Sequence, residues 1–211
     1  MSPSTEGRRG PKCLAGGPLV VVLSGPSGVG KDLLLSYMRD RSTGWHFVVT
    51  ATTRPQRTGE RDGVDYIFLE QARFHRMIDR NEFLEYAKVY HYSYGVPRQQ
   101  VSTALERGLN VLVKTDVQGA ATLKKKMPDA VFIFLAPPSM HELENRLRER
   151  KTESPEQLAL RIETARLEME QHTNFDYVIV NHNDQIMDAV VRLEAITATE
   201  KCRIPPRQIF L

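Results

Sequence analysis

One segment of the chain has the residue types and spacing of a phosphate-binding loop. Gly25, Gly28 and Gly30 stand close together, and Lys31 follows directly. Glycines let the backbone curl so that successive N–H groups point at one anion, and a lysine here can bridge the outer phosphates of a nucleoside triphosphate. We therefore expect nucleotide phosphates to bind at Gly25, Pro26, Ser27, Gly28, Val29, Gly30, Lys31 and Asp32.

The flanking residues predict the elements that such a loop requires. Leu19–Leu23 is an apolar, β-branched run typical of a buried strand, and Leu33–Met38 has the pattern of a helix. A helix that begins at the loop adds its positive dipole end to the anion site. A glycine-rich turn with a surface lysine is the alternative, and the strand and helix on either side argue against it.

Asp32 departs from the usual pattern of this loop. Ser or Thr normally follows the lysine and gives its hydroxyl to Mg²⁺, whereas this chain has Asp32 and then Leu33. Asp32 could bind the metal directly or through water, because carboxylates suit Mg²⁺. It could equally be an acid that the helix dipole favours in the first turn. Both interpretations remain open from the sequence.

Composition bounds the class of protein. The chain has 211 residues, of which 41% are hydrophobic, so it can form one domain with its own core. Its 29 basic and 26 acidic residues give a formal charge of +3, which is too small to predict binding to nucleic acid or membranes. Cys13 and Cys202 match no metal or redox spacing, and we expect a cytoplasmic protein. No apolar run is long enough to span a bilayer.

The order of predicted elements indicates the fold. Strands alternate with helices, which predicts an α/β protein of the P-loop type, a three-layer sandwich around a parallel sheet. A short antiparallel patch between Tyr66 and Tyr94 interrupts this order, as an inserted substrate-binding subdomain would. We expect a flexible leader over 1–17, a domain over 18–200 and a loose tail over 201–211.

Beside the glycine-rich loop, further short motifs are spread over Leu19–Leu193. These are Thr52–Arg54, Arg57–Glu60, Asp62–Tyr66, Phe83–Ala87, Tyr94–Gly95, Asp116–Ala120, Arg146–Leu147 with Arg150, Arg161 and Tyr177–Asn181. Each piece is short, but in this joint order they specifically resemble the guanylate kinase family, whose members pass a phosphoryl group from ATP to GMP.

The resemblance implies a Mg²⁺-dependent GMP kinase with ATP as donor, which is a monomer or homodimer and binds neither nucleic acid nor membranes. The implied insertion for the monophosphate covers about 50–97, and the implied helical lid covers about 143–172. The implied GMP-binding residues are Thr50, Arg54, Arg57, Glu60, Tyr66, Glu85, Tyr94, Gly95 and Asp116. The implied catalytic residues are Lys31, Arg54 and the lid arginines Arg146, Arg150 and Arg161, with Asn181 near the adenine. Asp32 and Asp116 are the candidate metal ligands.

The implied chemistry agrees with the residue types. Guanidinium groups such as those of Arg54 and Arg57 suit phosphate oxygens, although either arginine alone could be a solvated loop charge. Glu85 would accept hydrogen bonds from the ring N–H and exocyclic amine of guanine, which favours guanine over adenine. Phosphoryl transfer then requires positioning and charge neutralisation, with no dedicated general base.

Two positions depart from the family pattern. Val96 stands where a hydroxyl usually meets the guanine carbonyl, and Lys114 stands where an acidic residue is usual. Lys114 could compensate by donating to that carbonyl. Base selectivity is therefore less firmly predicted than the type of reaction.

Two other functions are compatible with parts of the sequence. A related kinase for another phosphorylated acceptor, such as ribose 1,5-bisphosphate, also carries Gly-Lys-Asp in its loop, but Arg57, Tyr66 and Glu85 argue for a nucleotide acceptor. A non-catalytic guanylate-kinase-like module that binds a protein typically lacks the glycine-rich loop, whereas Lys31 and its glycines are present here.

Overall fold

The computed structural model describes residues 16–89, 91–149, 154–183 and 185–211, which form two β-sheets covered by helices. In chain order, the strands are β1 (Val20–Ser24), β2 (Trp45–Phe47), β3 (Ala51–Thr52), β4 (Ile67–Phe68), β5 (Phe83–Val89), β6 (Tyr92–Pro97), β7 (Asn110–Lys114), β8 (Val131–Ala136) and β9 (Tyr177–Val180). The helices are α1 (Lys31–Arg41), α2 (Gln71–Asp79), α3 (Arg98–Glu106), α4 (Val117–Lys126), α5 (Met140–Glu149), α6 (Pro155–Glu170) and α7 (Ile186–Glu200), with a 3₁₀ turn at Gln171–Asn174.

The larger sheet is parallel and has the strand order β2-β7-β1-β8-β9. Its central strand β1 is buried on both faces, so alternate side chains enter two separate cores. Val21 packs in the core that contains Leu34 of α1 and Leu193 of α7. Val22 packs in the core that contains Leu123 of α4. The three-layer α/β fold predicted from the sequence is confirmed.

The smaller sheet has the order β4-β3-β6-β5, and it lies in the chain between β2 and α3. Strands β5 and β6 form an antiparallel hairpin, and β3 pairs antiparallel with β6 and parallel with β4. Phe74 of α2 stacks on Phe83 of β5 with ring centroids 4.6 Å apart, which gives this sheet its own small core. The sheet occupies the position at which the sequence predicts an insertion.

Two strands differ from their predicted limits. The pattern of His46–Thr50 predicts a strand that continues to Thr50, but β2 ends at Phe47 and pairs with β7 of the large sheet. The next strand, β3, begins only at Ala51 and pairs with β6 of the small sheet. The chain therefore passes between the sheets at residues 48–50. The sequence pattern of residues 90–94 also predicts a short strand; in the structure β6 begins at Tyr92 and runs to Pro97, and Tyr90 is outside the described residues.

Helices α5 and α6 form the described part of the predicted lid. Arg150 lies outside the described residues, so its predicted place in the lid is not assessed. Helix α6 begins with a capping box in which the side chains of Ser154 and Gln157 bond the backbone N–H groups of each other's residues. Arg166 of α6 donates to Glu144 of α5 at 2.8 Å, and this pair links the two helices.

The tail is held more firmly than the sequence predicts. Arg207 is paired through two nitrogens with Glu200 of α7, at 2.7 and 2.9 Å, and it donates to the Ala130 carbonyl at 3.1 Å. The hydrogen bonds from Arg207, reinforced by one from Tyr177, lower the pKa of Glu200 to about 2. A lack of periodicity after Cys202 suggested a loose end, but a buried arginine–glutamate pair needs no periodicity.

Within the described ranges, no helix is both long enough and apolar enough to cross a bilayer.

Candidate active site

A cleft of about 740 Å³ opens at the carboxyl ends of the parallel strands, where ligands bind in sheets of this kind. A second pocket of about 300 Å³ adjoins it and shares four lining residues, Asp32, Tyr66, Tyr94 and Lys114. Many of the predicted site residues line the main cleft, namely Ser27, Gly28, Val29, Gly30, Lys31, Asp32, Thr50, Tyr66, Glu85, Tyr94, Asp116, Arg146 and Asn181. Arg54, Arg57 and Glu60 line the second pocket.

The glycine-rich loop has a backbone that side chains would disrupt. Gly25 has φ of +144°, and a Cβ there would lie 2.2 Å from the carbonyl oxygen of Leu135. Gly30 has φ of +103°, and a Cβ there would lie 2.6 Å from Nδ2 of Asn181. The loop therefore packs closely against β8 and against the segment that follows β9. Pro26 is the residue that follows Gly25 in this loop.

Lys31 is held inside the loop. Its Nζ donates to the carbonyl oxygens of Gly25 at 2.5 Å and Pro26 at 3.1 Å. Burial lowers the pKa of Lys31, although the nearby carboxylates of Glu168 and Asp32 oppose this effect. A buried ammonium with carbonyl partners is well placed to exchange them for phosphate oxygens.

Asn181 is hydrogen-bonded to the backbone of the glycine-rich loop. Its Nδ2 donates to the carbonyl oxygen of Val29 at 2.8 Å, and the residue is buried. Among the described residues, Oδ1 of Asn181 has no hydrogen-bond partner although it is buried. A buried acceptor beside a cleft is a candidate partner for a ligand donor, because an unpaired polar group costs free energy.

Arg146 also contacts the glycine-rich loop. Its guanidinium donates to the carbonyl oxygens of Asn181 at 3.0 Å and Val29 at 3.3 Å, and to Oδ1 of Asn183 at 2.5 Å. Asn183 in turn bonds Glu142, which also faces Arg146. Asn183 was not predicted from the sequence, and its position two residues after Asn181 was the available signal.

Two side chains of α6 reach the glycine-rich loop. Arg161 donates to Oγ of Ser27 at 2.7 Å. Glu168 accepts the backbone N–H of Ser27 at 3.0 Å, and burial raises the pKa of this carboxyl group. The sequence reasoning missed Glu168, although its spacing of seven residues from Arg161 places both on one helix face.

The Glu168 contact predicts competition with phosphate. We expect Glu168→Gln to bind ATP about threefold or more tightly, because the variant removes a negative charge from the loop that receives the phosphates. Titration calorimetry would measure this, with Glu170→Gln on the exposed face of the same helix as the control. An unchanged or weaker ATP affinity would show that the carboxylate does not compete.

The second pocket is built around Arg54. This buried guanidinium donates to Glu60 at 2.7 Å and to the Pro55 carbonyl at 2.7 Å, and it lies 5.3 Å from the ring centroid of Tyr66. The hydrogen bond from Arg54 lowers the pKa of Glu60, whose other oxygen accepts the backbone N–H of Arg57 at 2.8 Å. Glu60 thus holds the guanidinium of Arg54 and the backbone of Arg57, and the two arginines can receive a phosphate as a pair.

Strand β6 contributes Tyr94 and Val96 to the cleft, whereas Gly95 packs within the small sheet. Tyr94 lies edge-on to Tyr66 with ring centroids 6.1 Å apart, and both rings line the two pockets. Val96 is buried and lines the main cleft, with Thr50 also in its wall. Gly95, between them, packs against the ring of Phe83, since a Cβ there would lie 2.8 Å from it.

Glu85 is a buried carboxylate at the far end of the main cleft. It is only 4% exposed and lies at an irregularity in β5, opposite Val96 of β6. Burial raises the pKa of Glu85 to about 7, with a further contribution from the negative charge of Asp116 and an opposing one from Lys126. A carboxylate kept in such a place is a candidate for ligand recognition.

Asp116 and Gly119 lie next to Glu85. Oδ1 of Asp116 accepts the backbone N–H of Gly119 at 2.7 Å and thereby caps α4. A Cβ on Gly119 would lie 2.1 Å from Oγ1 of Thr115 and 3.0 Å from Cδ of Glu85. Gly119 belongs to the Asp116–Ala120 motif, but the sequence does not predict it to be a site residue.

Gly119→Ala is expected to damage this end of the cleft. The added methyl group must displace Thr115 or Glu85, so we expect a loss of stability of about 1–3 kcal/mol and GMP binding weakened about tenfold or more. Chemical denaturation and calorimetric titration with GMP would measure the two effects. Ala121→Gly, on the exposed side of α4, is the control. It tests how strongly the stability of the protein responds to an exchange between alanine and glycine elsewhere in this helix. A fully active, fully stable Gly119→Ala would contradict this geometry.

Asp32 and Lys114 form an ion pair between the two pockets. Nζ of Lys114 lies 2.5 Å from Oδ1 of Asp32 and 3.3 Å from the hydroxyl oxygen of Tyr66. The sequence suggested that Lys114 could reach the guanine carbonyl in place of the hydroxyl missing at Val96. In the structure its ammonium is instead directed to the end of the cleft that contains Asp32 and Tyr66.

These residues resemble those of one known family along most of the chain. A sequence model of guanylate kinases matches residues 18–200. The chain belongs to the guanylate kinase family. Guanylate kinase 2 of rice, described as chloroplastic/mitochondrial, is 44% identical over 91% of this chain and 68% of its own length. The guanylate kinase of Caldanaerobacter subterraneus is 42% identical over 88% of this chain and 89% of its own.

A solved guanylate kinase has the same fold. The crystal structure of the enzyme from Anaplasma phagocytophilum superposes with a TM-score of 0.72 at 32% identity, and the match covers 89% of this chain and 88% of that one. The resemblance predicted from the motifs is therefore confirmed at the level of both sequence and structure.

Proposed function

We propose that this chain transfers the terminal phosphoryl group of ATP to GMP, which gives ADP and GDP. The observation that carries the proposal is the presence of a phosphate-binding loop, an arginine pocket and the buried carboxylate of Glu85 around one cleft. The family relatives named guanylate kinase support the same reaction.

Glu85 is proposed to recognise the guanine base. Ionised, its two oxygens can accept from the ring N–H and the exocyclic amine, which adenine does not present in that arrangement. Thr50 lines the same cleft and is proposed to supply a hydroxyl partner. Val96 supplies none, so in this proposal selectivity depends more heavily on the carboxylate. Asp116 supports this end by holding the first turn of α4 in place.

Arg54, Arg57, Tyr66 and Tyr94 are proposed to bind the phosphate of GMP. The pocket they share adjoins the glycine-rich loop through Asp32 and Lys114, so the acceptor phosphate would face the donor. Such an arrangement favours in-line transfer, because catalysis here is mainly positioning and neutralisation of charge.

The donor triphosphate is proposed to bind in the glycine-rich loop. Lys31 would exchange its carbonyl partners for phosphate oxygens, and Arg161 already lies on the loop at Ser27. The sequence implies a catalytic role for Arg146, but because its guanidinium donates to Asn181 and Asn183, we propose instead that it lies at the nucleoside end of ATP. A catalytic role of Arg150 stays a prediction. Closure would exclude water, the competing acceptor.

The residues present fit a Mg²⁺ ion that is carried mainly by the nucleotide. The described residues contain no cluster of three metal-ligating side chains. The carboxylate of Asp32 is 79% exposed and follows Lys31 directly, and one carboxylate plus phosphates is a common way to hold Mg²⁺. Asp116 is a poorer candidate because it caps α4. When bound, the ion neutralises the phosphate charge during transfer.

The proposal is tested by an acceptor panel. ADP release with MgATP would be followed for GMP, dGMP, AMP, IMP, UMP and ribose 1,5-bisphosphate. We expect turnover with GMP and dGMP that exceeds turnover with AMP by about a hundredfold or more. Turnover with ribose 1,5-bisphosphate alone, or ATP binding with no turnover of any acceptor, would contradict the proposal. A cytoplasmic location and a monomeric or homodimeric state stay predictions from the sequence.

A further inference from the structure

Lys114 stands at the boundary between the two pockets. It is the last residue of β7, and its side chain is only 15% exposed. Its ammonium lies 2.5 Å from the Asp32 carboxylate and 4.8 Å from the ring centroid of Tyr66. The same residue lines both the cleft that contains the glycine-rich loop and the pocket that contains Arg54 and Arg57.

A cation at this boundary faces the place where two phosphates must meet. Tyr66, whose hydroxyl oxygen is 3.3 Å from Nζ, belongs to the proposed acceptor pocket, while Asp32 belongs to the first turn of the helix after Lys31. Lysine has three donors, so binding one phosphate oxygen does not require it to release both partners. An enclosed ammonium also interacts with phosphate more strongly than an exposed one, because water screens it less.

We propose that Lys114 is a catalytic residue of this chain that donates a hydrogen bond to the phosphate of bound GMP. Asp32 is then its positioning partner, which keeps the enclosed ammonium paired before the substrate arrives. This inference rests on the proposed GMP kinase function. In this proposal Lys114 of β7 binds the GMP phosphate together with the residues of the pocket that contains Arg54 and Arg57.

The competing explanation is that Lys114 only neutralises Asp32. Both explanations predict that Lys114→Met harms the enzyme, because that change leaves the Asp32 carboxylate without this cation. They differ for the double variant Asp32→Asn/Lys114→Met, which removes both charges. If Lys114 only neutralises Asp32, the double variant should regain GMP affinity; if it binds phosphate, the loss should persist.

The test measures GMP and guanosine binding by calorimetry, without ATP or metal. We expect Lys114→Met and the double variant each to bind GMP about tenfold or more weakly than the parent. Asp32→Asn should weaken GMP binding less than Lys114→Met does, since it keeps the ammonium and removes only its positioning partner. Lys114→Arg should recover part of the lost affinity, because it restores a cation at position 114 with a different donor geometry. Guanosine, which lacks the phosphate, should bind parent and Lys114→Met equally. Lys125→Met, on the exposed face of α4, is the control for loss of a positive charge.

The outcomes separate this inference from the function on which it rests. Parent-like GMP affinity in Lys114→Met or in the double variant would overturn the inference and leave the GMP kinase function standing. An equal loss for guanosine would also overturn it, because it would show a structural effect on the base site. Absence of GMP binding by the parent would overturn both the inference and the proposed function.

Discussion

Glu85→Gln is expected to lower kcat/KM for GMP by about a hundredfold or more while the folded chain becomes more stable at neutral pH. The amide retains one acceptor oxygen and presents an NH₂ group to a base edge that itself offers donors. Two donors that face each other in a buried site lose a hydrogen bond and leave an unsatisfied group. Steady-state kinetics with GMP at saturating ATP would measure the effect.

The stability change follows from the pKa of Glu85, which is about 7 in the folded chain and 4.5 for the free side chain. Between these two values the folded state keeps a proton that the unfolded state has lost, so the free energy of unfolding falls as pH rises and is level above about pH 7. A shift of this size corresponds to about 3 kcal/mol at most. A glutamine at this position cannot ionise, so in Glu85→Gln the free energy of unfolding does not fall for this reason as pH rises. Denaturation at pH 5 and pH 8 should therefore show a smaller decline for the variant than for the parent.

GMP binding should have the opposite pH dependence. Because only ionised Glu85 offers two acceptors, GMP affinity of the parent should rise as pH increases through about 7. Glu82→Gln, a nearby carboxylate whose side chain is 42% exposed, is the matched control and should change neither property. Unaltered GMP kinetics in Glu85→Gln would disprove the assignment of Glu85 to the base.

Lys31→Met is expected to reduce kcat about a thousandfold or more. The variant keeps the apolar stem and removes the ammonium that would neutralise charge on the phosphates during transfer. The ligand-free chain should keep or gain stability, because burial already lowers the pKa of Lys31 and its loss removes the cost of an enclosed charge. Rapid-quench kinetics and thermal denaturation would measure the two effects.

Lys125→Met again serves as the control, since it removes a positive charge from an exposed part of α4. A Lys31→Met variant that retains a tenth or more of the parental kcat would show that the loop lysine does not act on the transferring group. A variant with low activity and strongly reduced stability would indicate a structural function instead.

The glycine-rich loop and its flanking elements could be predicted from sequence because their signals are local. Glycines that need positive φ, an apolar strand and a helix start all lie within about twenty residues of one another. The early end of the strand predicted at residues 46–50 could not be predicted in this way. Val48 and Val49 continue a strand-like pattern in the sequence, and only the pairing of β2 with β7 and of β3 with β6 assigns the chain to different sheets before and after them.

Site residues that depend on tertiary contacts were found only when a family motif included them. Glu85 was predicted from the resemblance, but its burial and raised pKa depend on Asp116 and on the surrounding sheet. Glu168 contacts Ser27, which is 141 residues away in sequence, and its spacing from Arg161 indicates a shared helix face but not the contact that this face makes. The direction of the Lys114 side chain was likewise set by a distant partner, Asp32, which is 82 residues away.

The most direct test of the central claim is transfer of label from ATP to a defined product. The parent chain would be incubated with Mg²⁺, γ-labelled ATP and GMP, and the products separated by chromatography. We predict that the label appears in GDP in amounts equal to the ADP formed, and that replacing GMP with AMP leaves nearly all of the label in ATP. Label released as inorganic phosphate, or no consumption of ATP in the presence of GMP, would contradict the account.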